Sequence, residues 1–277
     1  MLSRSDGKRL LDQTFSDYGE SRFHLWEDEN DAGSILLSSS LPGFKNLVKL
    51  GLEKHLMERL SCGAKFTDAE NGYDFTLRIP KDNITSNLGI TQFILDDGVK
   101  QLSMLRRTCL ALPLEMAIAD QESGKTSNVM TIPLRSTDVM YIQGFPDRVT
   151  VVLATKFEDP SDIVLGKVFL QEFYDVRKQN NMQNAPAVLF GKEPPKEMTS
   201  SIPLDSSLNY ITFVHYSEKK REKCVSMILS FRDYFHYHIK CCKAFLHNRM
   251  RGKVAEFLKM LNRTKPLSLL GSKSSQQ

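Results

Sequence analysis

Three short patterns in this 277-residue chain carry residue types capable of chemistry. Gly124-Lys125-Thr126 imitates the end of a phosphate-binding loop, in which glycine-rich backbone and a lysine cradle nucleotide phosphates. The motif needs an earlier glycine where Ala119 stands, and a strand leading in where the pattern is helical, so a solvated linker is the simpler reading. His236 and His238 are two residues apart and face about 200° away from each other on a helix, so they cannot share a metal. His238 and Cys242, at i and i+4, have ligand spacing, but no second convergent pair accompanies them. Packing against a partner helix is the better reading for Cys242. No serine sits in a nucleophile elbow, and no cysteine–histidine pairing has a catalytic context. We therefore expect no enzyme, no cofactor and no metal.

The five cysteines, Cys62, Cys109, Cys224, Cys241 and Cys242, are an odd number, and adjacent Cys241 and Cys242 point about 100° apart on a helix. Reduced thiols in a cytoplasmic protein are the simplest expectation. The composition, 41% hydrophobic and 25% charged, is that of ordinary globular proteins. No run approaches the ~18 apolar residues of a membrane span, and Met1–Lys8 lacks the apolar core of a signal peptide.

The elements read as two similar halves. In the first, Arg22–Glu27 and Ser34–Ser40 alternate like strands. Pro42–Leu60 carries Phe44, Leu47, Val48, Leu52, Leu56 and Leu60 at helical spacing, and Ala64–Thr67 with Tyr73–Arg78 form a hairpin around Asn71-Gly72. A helix over Thr91–Ala117 follows, bent or ended early by Pro113. The second half repeats the order: strands Val129–Leu134, Val139–Gln143 and Arg148–Phe157, a helix Ser161–Val176, then strands Ala187–Phe190 and Tyr210–His215 around a Pro/Ser-rich loop, and a last helix. The fold class expected is α+β: two tandem α/β sandwich-like domains of similar topology, 1–120 and 121–217, and a long C-terminal helix, 218–265, before a disordered tail, 266–277.

That last helix, Glu218–Asn262, would span roughly 68 Å at ~1.5 Å per residue, far beyond a domain whose radius of gyration is ~13 Å. Ile228, Phe231, Phe235, Ile239, Cys242, Leu246, Met250, Val254, Phe257 and Leu261 advance along it in steps of three and four. An apolar stripe that outruns its own domain needs a partner. The aromatic half packs on the protein's own second sheet. The half from His247 onward presents a docking face with a basic rim. From Lys240 to Lys265 eight basic residues face only Glu256, a net +7, which leaves about −3 for the rest of a chain of net +4. A basic rod implies an anionic partner, and nucleic acid, an acidic lipid surface and an acidic protein surface all qualify. Against nucleic acid, the aromatic side chains lie on the apolar stripe and not among the basic ones.

Longer motifs carry a family likeness. Asp147–Val152, Gly166–Phe173, Tyr210–Val214, and above all Phe231–Cys241, His247–Arg251 and Phe257–Arg263, resemble the 34 kDa-type subunit 2 family of the actin-related protein 2/3 complex. The likeness is strong over about Val139–Pro266, weakens through Lys178–Ala185 and Met198–Ser207, and is looser over Met1–Asn128, where Asn71-Gly72-Tyr73 and Leu105–Cys109 are its anchors. The tail Leu267–Gln277 departs from the family's charged tail. The resemblance implies two tandem α/β domains and a long helix that pairs with the equivalent helix of subunit 4. It also implies the remaining subunits and the mother actin filament as partners, with no nucleic acid and no membrane span. The role implied is non-catalytic support of nucleation and branching in the cytoplasm and cytoskeleton, ATP belonging to the actin-related subunits. On that basis Ile239, Cys242, Leu246, Met250, Val254, Phe257 and Leu261 are the candidate helix-pairing residues. Arg177, Lys178, Arg249, Arg251, Lys253, Lys259 and Arg263 are the candidate filament contacts.

Overall fold

A computed structural model describes residues 10–17, 20–28, 31, 33–81, 98–179, 187–215 and 221–263, with side chains in the helix ending at 179 described as far as 176. By internal packing the chain divides into Met1–Asp233 and Tyr234–Gln277. The first unit holds two five-stranded sheets. Strands β1 (Asp12–Ser16), β2 (Arg22–Trp26), β3 (Ser34–Ser40), β4 (Lys65–Thr67) and β5 (Phe75–Pro80) lie in the order β1-β2-β3-β5-β4. Strands β6 (Met130–Arg135), β7 (Asp138–Gly144), β8 (Val149–Lys156), β9 (Ala187–Gly191) and β10 (Leu208–His215) lie in the order β6-β7-β8-β10-β9. Every pairing is antiparallel. In each half the last strand inserts beside the third and leaves the fourth at the edge. The helices obey the same repeat: α1 (Phe44–Lys49) and α2 (Leu52–Arg59) follow the third strand of the first sheet, and α4 (Pro160–Gln179) that of the second. Each half then closes on a helix, α3 (Leu105–Glu122) or α5 (Arg221–Arg263). The expected α+β fold with two similar halves is what is observed.

The second sheet is covered on both faces. Its central strand β8 is buried at every residue but Lys156, which is why Val149–Leu153 is a continuous β-branched and apolar run with no alternation. Met140, Val151, Leu153 and Phe213 meet Leu110 of α3 and Ile228 and Leu229 of α5 on one face. On the other, Tyr141, Val152, Ala154 and Tyr210 pack against Met198 and Ile202. The Pro/Ser-rich connection between β9 and β10 is therefore a packed cover, locked by the Tyr210 hydroxyl donating to Pro203 O at 2.6 Å.

Three local expectations are corrected. The helix expected over Pro42–Leu60 is two, because Gly51 is left-handed (φ 89°): its N–H closes α1 onto Val48 O, and its carbonyl starts α2 by accepting from His55 N. α3 runs through Pro113 to Glu122, since Cys109, Leu110, Ala111, Leu112, Leu114, Ala117 and Ile118 are all buried and that packing outweighs one lost backbone bond. The expected start of that helix at Thr91 lies outside the described residues, as does the tail after Pro266. Strand β1 was not foreseen. All five of its residues are exposed and polar but for Phe15, so no alternation marks it.

Two residues make the packing testable. A Cβ built on Gly144 would stand 2.4 Å from Ala117 O, where α3 crosses β7. Gly144→Ala should destabilise the chain by ~1–3 kcal/mol in a denaturant titration, since backbone must move. His55 is buried, bonds Thr108 O through Nε2 and receives Arg59 Nη1 at Nδ1, each at 3.1 Å. Burial, then the neighbouring Arg59 charge, hold its pKa below the ordinary 6.5. The unfolded chain thus takes up a proton that the folded chain resists. The contribution is full above 6.5 and is lost as pH falls from there through the folded value. The melting temperature should fall on acidification across that window, and His55→Gln should flatten the fall.

Candidate functional site

The chemistry-bearing patterns take structural positions. Gly124 is left-handed (φ 66°) and Lys125 N donates to Asp120 O at 2.9 Å, so Gly124-Lys125-Thr126 is the C-terminal cap of α3. A helix C-terminus presents carbonyls and partial negative charge, the reverse of what a phosphate needs. One pair invisible to sequence spacing emerges: Cys224 Sγ lies 3.4 Å from His215 Nδ1, both buried. Burial pushes the thiol up to about 11, so it is no nucleophile at neutral pH. Cys109 is likewise raised beyond the titrating range by burial. Among the described residues, no group of three His, Cys, Asp or Glu could hold a metal, and no helix is long and apolar enough to cross a membrane.

The root of α5 is fixed by charge inside the first unit. Asp138, fully buried at the start of β7, accepts from Arg232 Nε at 2.5 Å and from Thr155 Oγ1 at 2.6 Å. Arg232 Nη1 also donates to Asp233 Oδ1 at 2.7 Å, and Asp233 accepts from Arg106 of α3 at 3.2 Å. Arg106 in turn pairs with Asp17, just past β1, at 3.3 Å. Phe231 sets its edge against Phe213 (4.8 Å) and Phe173 (6.2 Å).

The second unit begins two residues beyond Arg232 and carries the rest of α5. Phe235 and Ile239 are buried, while Tyr234 and Tyr237 are exposed. From Ala244 to Arg263 every residue is exposed. Of the candidate pairing residues, Ile239 at 2% is already covered within the chain, whereas Phe257 is 56% exposed. Cys242, Leu246, Met250, Val254 and Leu261 are exposed too. The open stripe thus starts at Cys242, five residues before His247. At ~100° per residue, Cys242, Leu246, Met250, Val254 and Leu261 all lie within about 60° of the direction of Phe257.

Sequence reasoning passed over three further exposed apolar residues, Phe245, Leu258 and Met260. Met260 lies within the stripe's own span, about 60° from Phe257, while Phe245 and Leu258 flank it by about 120° on one side and about 100° on the other. The signal was present in the sequence, but a search for one stripe discards what falls beside it. Among the basic candidates, Lys253 sits on the shoulder of the stripe and pairs with Glu256 at 2.9 Å. Arg249 and Arg251 lie on opposite flanks, Arg263 about 120° from Phe257, and Lys259 nearly opposite it. All five are exposed. The side chains of Arg177 and Lys178 lie outside the described residues.

A duplicated α+β unit with an open, amphipathic and basic helix has the construction of an assembly subunit. The profile of the family described as "Arp2/3 complex, 34 kD subunit p34-Arc" matches residues 37–268, and the chain belongs to that family. Its relatives include actin-related protein 2/3 complex subunit 2 of Schizosaccharomyces pombe, 33% identical across 95% of this chain and 88% of the relative. The protein of the same name in Dictyostelium discoideum is 30% identical across 96% of this chain and 89% of its own length. The family is named for a subunit of an assembly, not for a reaction.

Proposed function

We propose that this chain is a non-catalytic structural subunit of the Arp2/3 complex, seated in the cytoplasmic actin cytoskeleton. The stripe of α5 from Cys242 to Leu261 pairs with a helix of subunit 4, and the basic residues beside it contact the mother filament to support nucleation and branching. One observation carries the reading: the stripe that is buried at Ile228, Phe231, Phe235 and Ile239 continues in register, fully formed, into water. Burying a large apolar side chain is worth ~1.5–3 kcal/mol, so leaving six such positions open has a purpose only if something covers them. The basic residues divide accordingly. Lys253 on the stripe's shoulder belongs to the rim of the helix pair. Arg251 and Lys259, turned away from it, remain available to an acidic filament surface.

Phe257→Asp with Leu261→Asp should abolish co-purification with subunit 4 and leave the melting transition of the isolated chain unchanged. An intact complex carrying both changes would refute the pairing. Arg251→Glu with Lys259→Glu should leave assembly intact and lower filament-side binding and branch density by roughly tenfold or more. Unchanged branching would reduce these two residues to a solvated face.

A further inference from the structure

The outer face of the first sheet carries a titratable cluster that helix docking does not use. His24 of β2 has both ring nitrogens against carboxylates. Nδ1 lies 2.9 Å from each oxygen of Glu70, and Nε2 lies 3.1 Å from Asp12 Oδ1. A neutral imidazole has one N–H and can donate to only one of them, so this geometry is complete only for the imidazolium. The ring is stacked between Trp26 (5.9 Å) and Tyr73 (6.0 Å), which fixes its plane.

The two jaws are unequal. Glu70 is held: its own N–H donates to Thr76 Oγ1 at 3.0 Å, and Thr76 meets Ser38, which accepts from Trp26 Nε1 at 3.2 Å. Its side chain is 27% exposed, whereas that of Asp12 is 71% exposed and readily hydrated. When the ring keeps one proton, that proton stays at Nδ1 on the less exposed jaw, and Asp12 is let go. Asp12 belongs to β1, a five-residue edge strand whose ladder bonds run to β2 alone. We propose that His24 is a pH-sensitive clasp, closing edge strand β1 onto the first sheet when protonated and freeing it when neutral.

The other charges on this face do not replace the clasp. Arg22 of β2 lies over the Tyr73 ring at 5.8 Å and donates to Gly72 O. Arg78 of β5 is paired with Asp31, and Lys65 of β4 stands beyond it, opposite Arg78. From β3 and β5, Ser38 and Thr76 contribute hydroxyls. Burial works to lower the His24 pKa, but the bonds and charges of Glu70 and Asp12 outweigh it and raise it above 6.5. The clasp is therefore whole below 6.5 and opens as pH rises from there through the folded value.

The test is amide hydrogen exchange of residues 12–16 in the full chain between about pH 6 and about pH 8, corrected for the intrinsic rate, with His24→Gln and Asp12→Asn alongside. Protection of β1 should fall ~3- to 10-fold across that range in the parent, the effect of one charge-assisted bond to a largely exposed partner. It should be low and pH-independent in both variants, while β8 stays protected throughout. A parent whose β1 protection does not change with pH, or an Asp12→Asn variant that keeps the parent's slope, overturns the proposal.

Discussion

The buried pair of Asp138 and Arg232 is the constraint on which the placement of everything else turns. An unpaired carboxylate at the head of β7 would cost several kcal/mol, and an unpaired guanidinium as much. Here each satisfies the other, with Thr155 taking the second oxygen of Asp138. The pair leaves the first turns of α5 one rotation about their axis. Ile228, Leu229 and Phe231 must then face the second sheet, and Asp233 must face Arg106 of α3. Because a helix repeats every ~3.6 residues, fixing that rotation fixes which side chains of these first turns share the direction of Phe231.

The repeated topology gives the two sheets different surfaces. Both sheets run entirely antiparallel in one strand order. The second sheet is capped on both faces by its own chain. The first differs on its outer face, where hydroxyls, an imidazole and carboxylates replace apolar side chains from Trp26 to Glu70. One half seals both faces of its sheet, and the other carries a titratable cluster over the buried hydroxyls of Ser38 and Thr76.

Much of this was legible in the sequence because periodicity and β-branched runs report burial directly. The run Val149–Leu153, the Asn71-Gly72 turn and the three-four spacing of α5 each have one structural meaning. What escaped obeys a different logic. β1 has no buried face to leave a pattern. Gly51 breaks a helix whose apolar spacing runs straight through it. Pro113 sits inside a helix because buried neighbours outweigh its local cost. The Asp138–Arg232 and His24–Glu70 contacts join residues 94 and 46 positions apart, and charge pairing at such range leaves no trace in spacing. The split of the stripe at Ile239 was likewise beyond periodicity, which describes a face but not what lies against it.

The width of the open face bears on how it is used. A helix meeting one surface shows an apolar arc of about 100°, and a two-helix seam is narrower. With Phe245 and Leu258 on its flanks, the exposed apolar side chains here spread over about 220° by the helical repeat, interrupted by Lys253 and Arg249. A single partner helix laid along Phe257 and Leu261 would leave both flanks in water, where they return nothing against the entropy lost on association. Under the proposed pairing, a helix over the centre of the stripe would leave its two flanks for further protein to cover. Under the same pairing, Lys259, nearly opposite Phe257, is the basic candidate farthest from the face that a paired helix would cover.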